Sequence, residues 1–323
     1  MFGKKIIKRY YFLIGLIILA IIFSQLNFAD LLKSFQKINY YLLALGISLV
    51  IPSVLIKSWR WNYLKKSQGI KYQLLDSFLI YNVGFLLGGV TPSQVGELAK
   101  VYYLKKGGLS YGKATVSIII DRVFDIFYFL IFGYLGIIFV LKDLRNEINL
   151  FYFISLILLL IIIIILKLGW HKMLFNKIFC YFVPENYQKK LHLNFNDFIS
   201  DLKLLTLKNY FIAFLITVLA WLLYYLQMEI FALSLGLEIP IINLAVAVTI
   251  TGLVSLLPIS ILGIGTREAT LILLLQPFYS NISIIIIFSQ LILVANLVGY
   301  LLGAVSWLFL PFSLKTIKNY EKN

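Results

Sequence analysis

Seven ionisable residues stand inside long apolar stretches of this sequence: Glu97, Asp121, Arg122, Asp125, Glu229, Arg267 and Glu268. A charge at the centre of a membrane helix costs roughly 2.5–3.5 kcal/mol, and each surrounding Leu or Ile returns only about 0.3–0.6 kcal/mol. Seven such groups left central and unpaired would cost on the order of 20 kcal/mol. They must therefore pair, protonate or face water. Asp121 and Asp125 share one helix face at i, i+4, and Arg122 can reach Asp125 at i, i+3. Two chemistries are open to the set. One is an ion-pair network that locks helices together. The other is a polar cavity in which Arg267 and exposed helix N-termini hold a phosphate headgroup, while the carboxylates hold a cationic group or exchange protons. The five acids outnumber the two arginines, which also suits a cation or a proton as cargo.

Glu97, Arg267 and Glu268 adjoin breaks in two apolar stretches, 74–105 and 240–276. The first break reads Gly88-Gly89-Val90-Thr91-Pro92-Ser93-Gln94-Val95-Gly96-Glu97. The second reads Pro258-Ile259-Ser260-Ile261-Leu262-Gly263-Ile264-Gly265-Thr266-Arg267-Glu268. Gly88, Gly89, Pro92, Gly96, Pro258, Gly263 and Gly265 are the candidate hinge positions. The arms that follow, Pro92 to Leu104 and Thr266 to Gln276, reach roughly 16–20 Å as helices, against about 30 Å of hydrocarbon. Thr91 with Gln94 predicts a capping box, Pro92 suits a first helical position, and Thr266 predicts a cap with Glu268 in the first turn. Two kinked pairs of full spans would fit the same pattern. Re-entrant half-helices, entering from opposite faces, are the expectation because broken helices in inverted repeats are built this way in transporters.

The elements that must position these groups follow from composition. The chain has 323 residues, is 61% hydrophobic and only 13% charged, with 29 Lys+Arg against 14 Asp+Glu. Ordinary soluble domains are about 45–50% apolar and about 25% charged. Full spans are predicted at roughly 9–28, 40–57, 114–140, 148–167, 209–235 and 282–311. The first run follows Lys4, Lys5, Lys8 and Arg9 without a small-residue cleavage site after it and reads as an uncleaved helix. Basic residues gather before the first span, after the second, around 100–113, over 167–208 and at the end, which places both termini in the cytoplasm. The net charge of +15 follows the membrane in this way and is not a nucleic-acid signature. The fold class expected is therefore all-α integral membrane: six spans and two opposed re-entrant hairpins in one membrane domain. Residues 168–208 form a cytoplasmic connector, amphipathic over 184–206 and lying on the membrane surface.

Several functions are excluded or disfavoured. Cys180 stands alone and His171 and His192 are the only histidines, so no disulfide, zinc or haem site is expected. No P-loop and no Gly-x-Ser-x-Gly elbow occurs, so no cofactor, direct ATP use or enzyme activity is expected. Trp221, Tyr225 and Glu229 share a face, as a headgroup wall or as helix packing. Trp59-Arg60-Trp61 reads as an interfacial anchor. Nothing in the pattern specifies an oligomeric state.

Four motifs in order, Trp59-Arg60-Trp61-Asn62-Tyr63-Leu64, Pro92-Ser93-Gln94-Val95-Gly96-Glu97, Asp121-Arg122-Val123-Phe124-Asp125 and Leu257-Pro258-Ile259-Ser260 through Gly263-Ile264-Gly265-Thr266-Arg267-Glu268, resemble the lysylphosphatidylglycerol synthase transmembrane-region family over about residues 10–312. Asp121 stands where that family often has Glu, and Ile261-Leu262 replace a more Pro/Gly-rich stretch. The resemblance implies a flippase-like fold and a membrane lipid, either a phospholipid or a polyprenyl-linked one, as partner. It also implies a stand-alone member, because the soluble aminoacyl-transferase domain of the best-known members is not found in this sequence. An ion- or proton-coupled small-solute transporter is the competing expectation.

Overall fold

The computed structural model describes residues 12–24, 38–139, 204–257 and 260–310, with the isolated positions 36, 157 and 200. All regular structure among them is helical. α1 is Phe12–Ser24, α2 is Tyr40–Ser48, α3 is Val50–Ser67 and α4 is Leu74–Gly89. A 3₁₀ segment, Pro92–Leu98, leads into α5, Ala99–Lys106, and then α6, Tyr111–Phe139. α7 is Leu207–Ser234, α8 is Ile241–Ser255, α9 is Thr266–Leu275 and α10 is Ile282–Phe309.

Three helices are long and apolar enough to cross a membrane: Tyr40–Ser67 (α2 and α3 together), α7 and α10, each of 28 residues. At 1.5 Å per residue each reaches roughly 42 Å. α6 is as long, at 29 residues, and carries Asp121, Arg122 and Asp125 along its length. Asn39 starts α2 by accepting from the amides of Tyr41 and Leu42. Thr206 starts α7 in a reciprocal cap with Asn209. Such caps satisfy the first-turn amides that no intrahelical carbonyl can reach. The span predicted at 148–167 and the amphipathic run over 184–206 lie almost entirely outside the described residues.

The two interrupted stretches resolve into short helices. α4 has 16 residues and α5 has 8; α8 has 15 and α9 has 10. None of the four exceeds roughly 24 Å. They pack among the long helices: α4 lies along α10, α8 against α6 and α9, and α7 against α2 and α3. The α4–α10 seam is close because Gly303 faces the backbone carbonyl of Asn82, where a Cβ would come within 2.5 Å of the oxygen.

Candidate functional site

Both interruptions are made by side chains that satisfy the broken backbone. In the first, the Thr91 hydroxyl donates to the carbonyls ending α4, at 3.0 Å from Leu87 O and 3.1 Å from Gly88 O, and accepts from Gly96 N at 2.7 Å. The predicted Thr91–Gln94 capping box is not formed. The physical reason is that Gln94 takes a left-handed backbone, φ 57, and aims its amide elsewhere. Gly96 passes so close to α4 that a Cβ would be 1.9 Å from Leu87 O, so no other residue fits without movement. In the second break Leu262, Gly263 and Gly265 all have φ between 61 and 84. Gly265, not Thr266, is the N-cap of α9. The Glu268 carboxylate reaches back to Gly265 N at 2.6 Å, while Thr266 Oγ1 lies 2.8 Å from Ser260 Oγ. Pro258 lies outside the described residues.

The charges fall into two networks. Arg60 on α3 is fully buried: its Nε donates to Asp121 Oδ1 at 2.8 Å, and Nη1 and Nη2 grip Asp125 at 2.8 and 2.9 Å. Trp221 Nε1 donates to the same Asp125 at 3.3 Å, and Arg60 Nη1 also donates to Thr217. Asp121 and Asp125 do share a face, and Arg60 is what they share. Arg122 lies 3.9 Å from Asp125 and spends its donors elsewhere. Its Nε donates to Glu97 Oε2 at 2.8 Å, Nη2 bonds Glu97 Oε1, and Nη1 donates to Gln94 Oε1 at 2.8 Å. Lys100 adds a second cation to Glu97 at 2.8 Å. α6 is thus tied to the first break. In the second network Arg267 bonds Glu268 at 2.8 Å and Ser289 at 2.7 Å, and Ser289 in turn donates to Glu268.

A cavity of about 590 Å³ joins the two breaks. Gly89, Thr91, Gln94 and Glu97 line it from the first, and Ser260, Leu262, Gly263 and Arg267 from the second. Its other walls are Val50 to Lys57 on α3, Ile118 to Phe129 on α6, Trp221 to Gln227 on α7 and Ile292 to Tyr300 on α10. Those segments lie well inside the four long helices, so the cavity opens at mid-height of the bundle rather than at its ends. Glu97 and Arg267, far apart in sequence, line one space.

A model of the lysylphosphatidylglycerol synthase TM region matches residues 10–304. The chain belongs to that family. The chain is similar to a UPF0104 membrane protein of Methanocaldococcus jannaschii, 24% identical over 310 residues, covering 91% of this chain and 90% of its relative's length. A UPF0104 membrane protein of Pyrococcus horikoshii is 27% identical over 139 residues, 42% of each chain. The lysylphosphatidylglycerol synthase TM-region assignment and the apolar helices make this an integral membrane protein with an all-helical described fold.

Of the seven charges singled out in sequence, Glu97, Arg122, Asp125 and Arg267 line the cavity of this family member. Asp121 and Glu268 lie behind it as partners of arginines. Glu229 is apart from both networks: its Oε2 is buried without a hydrogen bond, and it does not line the cavity. The face it shares with Trp221 and Tyr225 is mainly packing, with Trp221 stacked on Tyr128 at 5.6 Å and Tyr225 bonded to Thr249. Among the candidate hinges, Gly89 and Gly263 line the cavity, while Gly88 backs onto the Glu97 side chain.

Sequence reasoning missed four cations. Arg60 was read as an interfacial anchor, yet it and Trp61 are fully buried; only Trp59 in that trio is exposed. Lys65 and Lys100 are also fully buried against the Trp61 ring. Lys57 lines the cavity. The acid surplus was the signal that could have found them, since buried carboxylates demand partners. The fully buried charges of the described residues in fact balance: Arg60, Lys65, Lys100 and Arg267 against Glu97, Asp121, Asp125 and Glu268.

Proposed function

We propose that this protein moves a lipid, either a phospholipid or a polyprenyl-linked one, between the leaflets of a cell membrane, the headgroup passing through the cavity between the two interruptions while the acyl or prenyl tails stay in the bilayer. The supporting observation is the mid-height cavity walled by both breaks and by Glu97, Arg122, Asp125 and Arg267. A headgroup cannot cross about 30 Å of hydrocarbon without such a hydrated, charged shelter. In this reading six helices span. α4–α5 is a re-entrant hairpin entered from the cytoplasm, α8–α9 is its counterpart from outside, and both termini are cytoplasmic. The residues do positioning and electrostatic work, with no bond made or broken.

The competing idea of an ion- or proton-coupled small-solute transporter drew on an excess of acids. That excess disappears once Arg60, Lys65, Lys100 and Lys57 are counted. The carboxylates at the cavity are already held by Arg60, Arg122 and Lys100. A free cationic solute would have to displace them.

The test is reconstitution of the full chain in vesicles carrying labelled phospholipids or a labelled polyprenyl phosphate. Movement well above protein-free vesicles, abolished by filling the cavity with Asn296→Trp, is the expected result. Equal rates with and without protein for every lipid would end the proposal, as would a plugged variant that folds and works normally.

A further inference from the structure

Lys57 differs from every other cation around the cavity. Arg122 is engaged by Glu97 and Arg267 by Glu268. Lys57 forms no ion pair among the described residues; its ammonium lies 4.5 Å from the centre of the Trp221 ring, which holds it by a cation–π contact. Four charges act on it through space, Asp125, Arg60, Arg122 and Asp121, two of each sign, and all four are committed to one another or to Glu97. The charged lining of the cavity therefore holds three cations, Lys57, Arg122 and Arg267, against two carboxylates, Glu97 and Asp125. One turn before Lys57 on α3 lies Ser53, only 9% exposed, with a buried hydroxyl that has no hydrogen-bond partner and a place in the same cavity wall. Positions i and i+4 of a helix are neighbours on one face. An ammonium without a counter-charge and a hydroxyl without a partner thus share one face of α3, one turn apart. A buried donor without an acceptor is destabilising, and so is a cation without a counter-charge. Both costs vanish when an anion enters.

We propose that Lys57 and Ser53 seat the phosphodiester of the cavity's ligand, and that the ligand carries one net negative charge. The inference rests on the cavity being the path of a lipid headgroup. Trp221 is the positioning residue: Asp125 fixes its indole edge, and its face holds the ammonium over the cavity. A zwitterionic headgroup fits less well, because its cation would find the carboxylates already occupied. The same chemistry is offered by a soluble phosphate ester, so the test must separate the two sources.

The full chain in detergent is titrated with phosphatidylglycerol, phosphatidylcholine and glycerophosphoglycerol, the soluble phosphodiester of the first headgroup, with the thermal midpoint as readout, and lipid movement is measured in vesicles in parallel. The wild type is expected to bind phosphatidylglycerol more tightly than phosphatidylcholine. Lys57→Gln is expected to weaken phosphatidylglycerol on the order of ten- to a hundredfold, the range of a charge-assisted hydrogen bond, and phosphatidylcholine, which carries the same phosphodiester, by a smaller factor, so that the preference between the two narrows. Lys57→Arg retains binding, and Ser53→Ala weakens it several-fold; Ser53→Ala carries the test if Lys57→Gln does not fold. Unchanged phosphatidylglycerol affinity in Lys57→Gln and Ser53→Ala would overturn the seat while leaving lipid movement standing. Lys57-dependent binding of glycerophosphoglycerol without any lipid bound or moved would keep the seat and overturn the lipid reading.

Discussion

Each interruption is a glycine-rich break whose glutamate is held by an arginine, but only the second carries that arginine in its own sequence. In the second, the ion pair is local, and the bonds that leave the break are neutral ones to Ser289 and Gln290 on α10. Arg267 and its neighbour Glu268 bond each other, Glu268 caps its own helix at Gly265, and both side chains are almost wholly enclosed, at 4% and 0% exposure. In the first, the bonds run outward. Glu97 and Gln94 are both held by Arg122, which comes from α6 and is 26% exposed toward the cavity. The second break carries its own ion pair and is pinned to α10 by hydrogen bonds through Ser289 and Gln290. The first is a latch between two elements, and one side of that latch faces the proposed path. The difference teaches that a motif's residue types do not say whether its bonds are internal or shared. Only the partner's position does.

The largest test of this contrast is removal of each arginine. Arg267→Ala leaves Glu268 enclosed without its counter-charge, a change that costs about 3–5 kcal/mol when a buried pair is broken. Arg122→Ala leaves Glu97 with Lys100 and opens a side that water can reach, so its cost is about 1 kcal/mol. Unfolding midpoints of the purified variants should rank in that order. Lipid movement should fail in Arg122→Ala even though the protein stays folded. A stable Arg267→Ala beside an unfolded Arg122→Ala would reverse the assignment of the rigid and openable breaks.

The backbone offers the next test. Gly96→Ala drives a methyl into Leu87 O and costs about 1–3 kcal/mol or more, as overpacking does. Gly265→Ala places a side chain at φ 84 and ψ −51, outside the left-handed helical region, which costs about 1–3 kcal/mol. The first should disturb the latch and slow lipid movement. The second should lower the melting temperature and leave movement rates close to normal at temperatures where the protein is folded. Equal slowing by both would mean the two breaks are coupled.

How much of this could be read in the sequence depended on range. The interruptions, their short arms and the helices α3, α6, α7 and α10 follow from apolar run length and glycine–proline punctuation, which are local signals. The Asp121–Asp125 face is local too. The partners were not, because Arg60 meets Asp121 across 61 residues and Arg122 meets Glu97 across 25. Helical spacing predicted Arg122 with Asp125. Tertiary placement gave Arg122 to Glu97 and Asp125 to Arg60, since a bidentate guanidinium grip outweighs an i, i+3 contact. Glu229 and Lys57 mark the same boundary. In sequence Glu229 belongs with the buried acids and Lys57 with the end of a span, and only packing puts Lys57 on the cavity and Glu229 away from it.

The smallest effect tests strain. Gln94 and Leu262 are the described non-glycine residues with left-handed backbones, φ 57 and φ 61, one in each break, and both line the cavity. Glycine at either position relieves roughly 1–2 kcal/mol of steric cost and forfeits about 0.5–1 kcal/mol through added freedom of the unfolded chain. At Leu262 the bond from Arg267 survives because it goes to the backbone oxygen, but a half-buried apolar side chain is given up, which takes back much of the gain. Leu262→Gly should therefore be neutral or slightly stabilising. Gln94→Gly also gives up the hydrogen bond to Arg122, about 0.5–1.5 kcal/mol, and should be neutral or slightly destabilising. The sign of the difference is the informative quantity. If both substitutions stabilise equally, the Gln94–Arg122 bond contributes nothing, and the first break is no more tied to α6 than the second is.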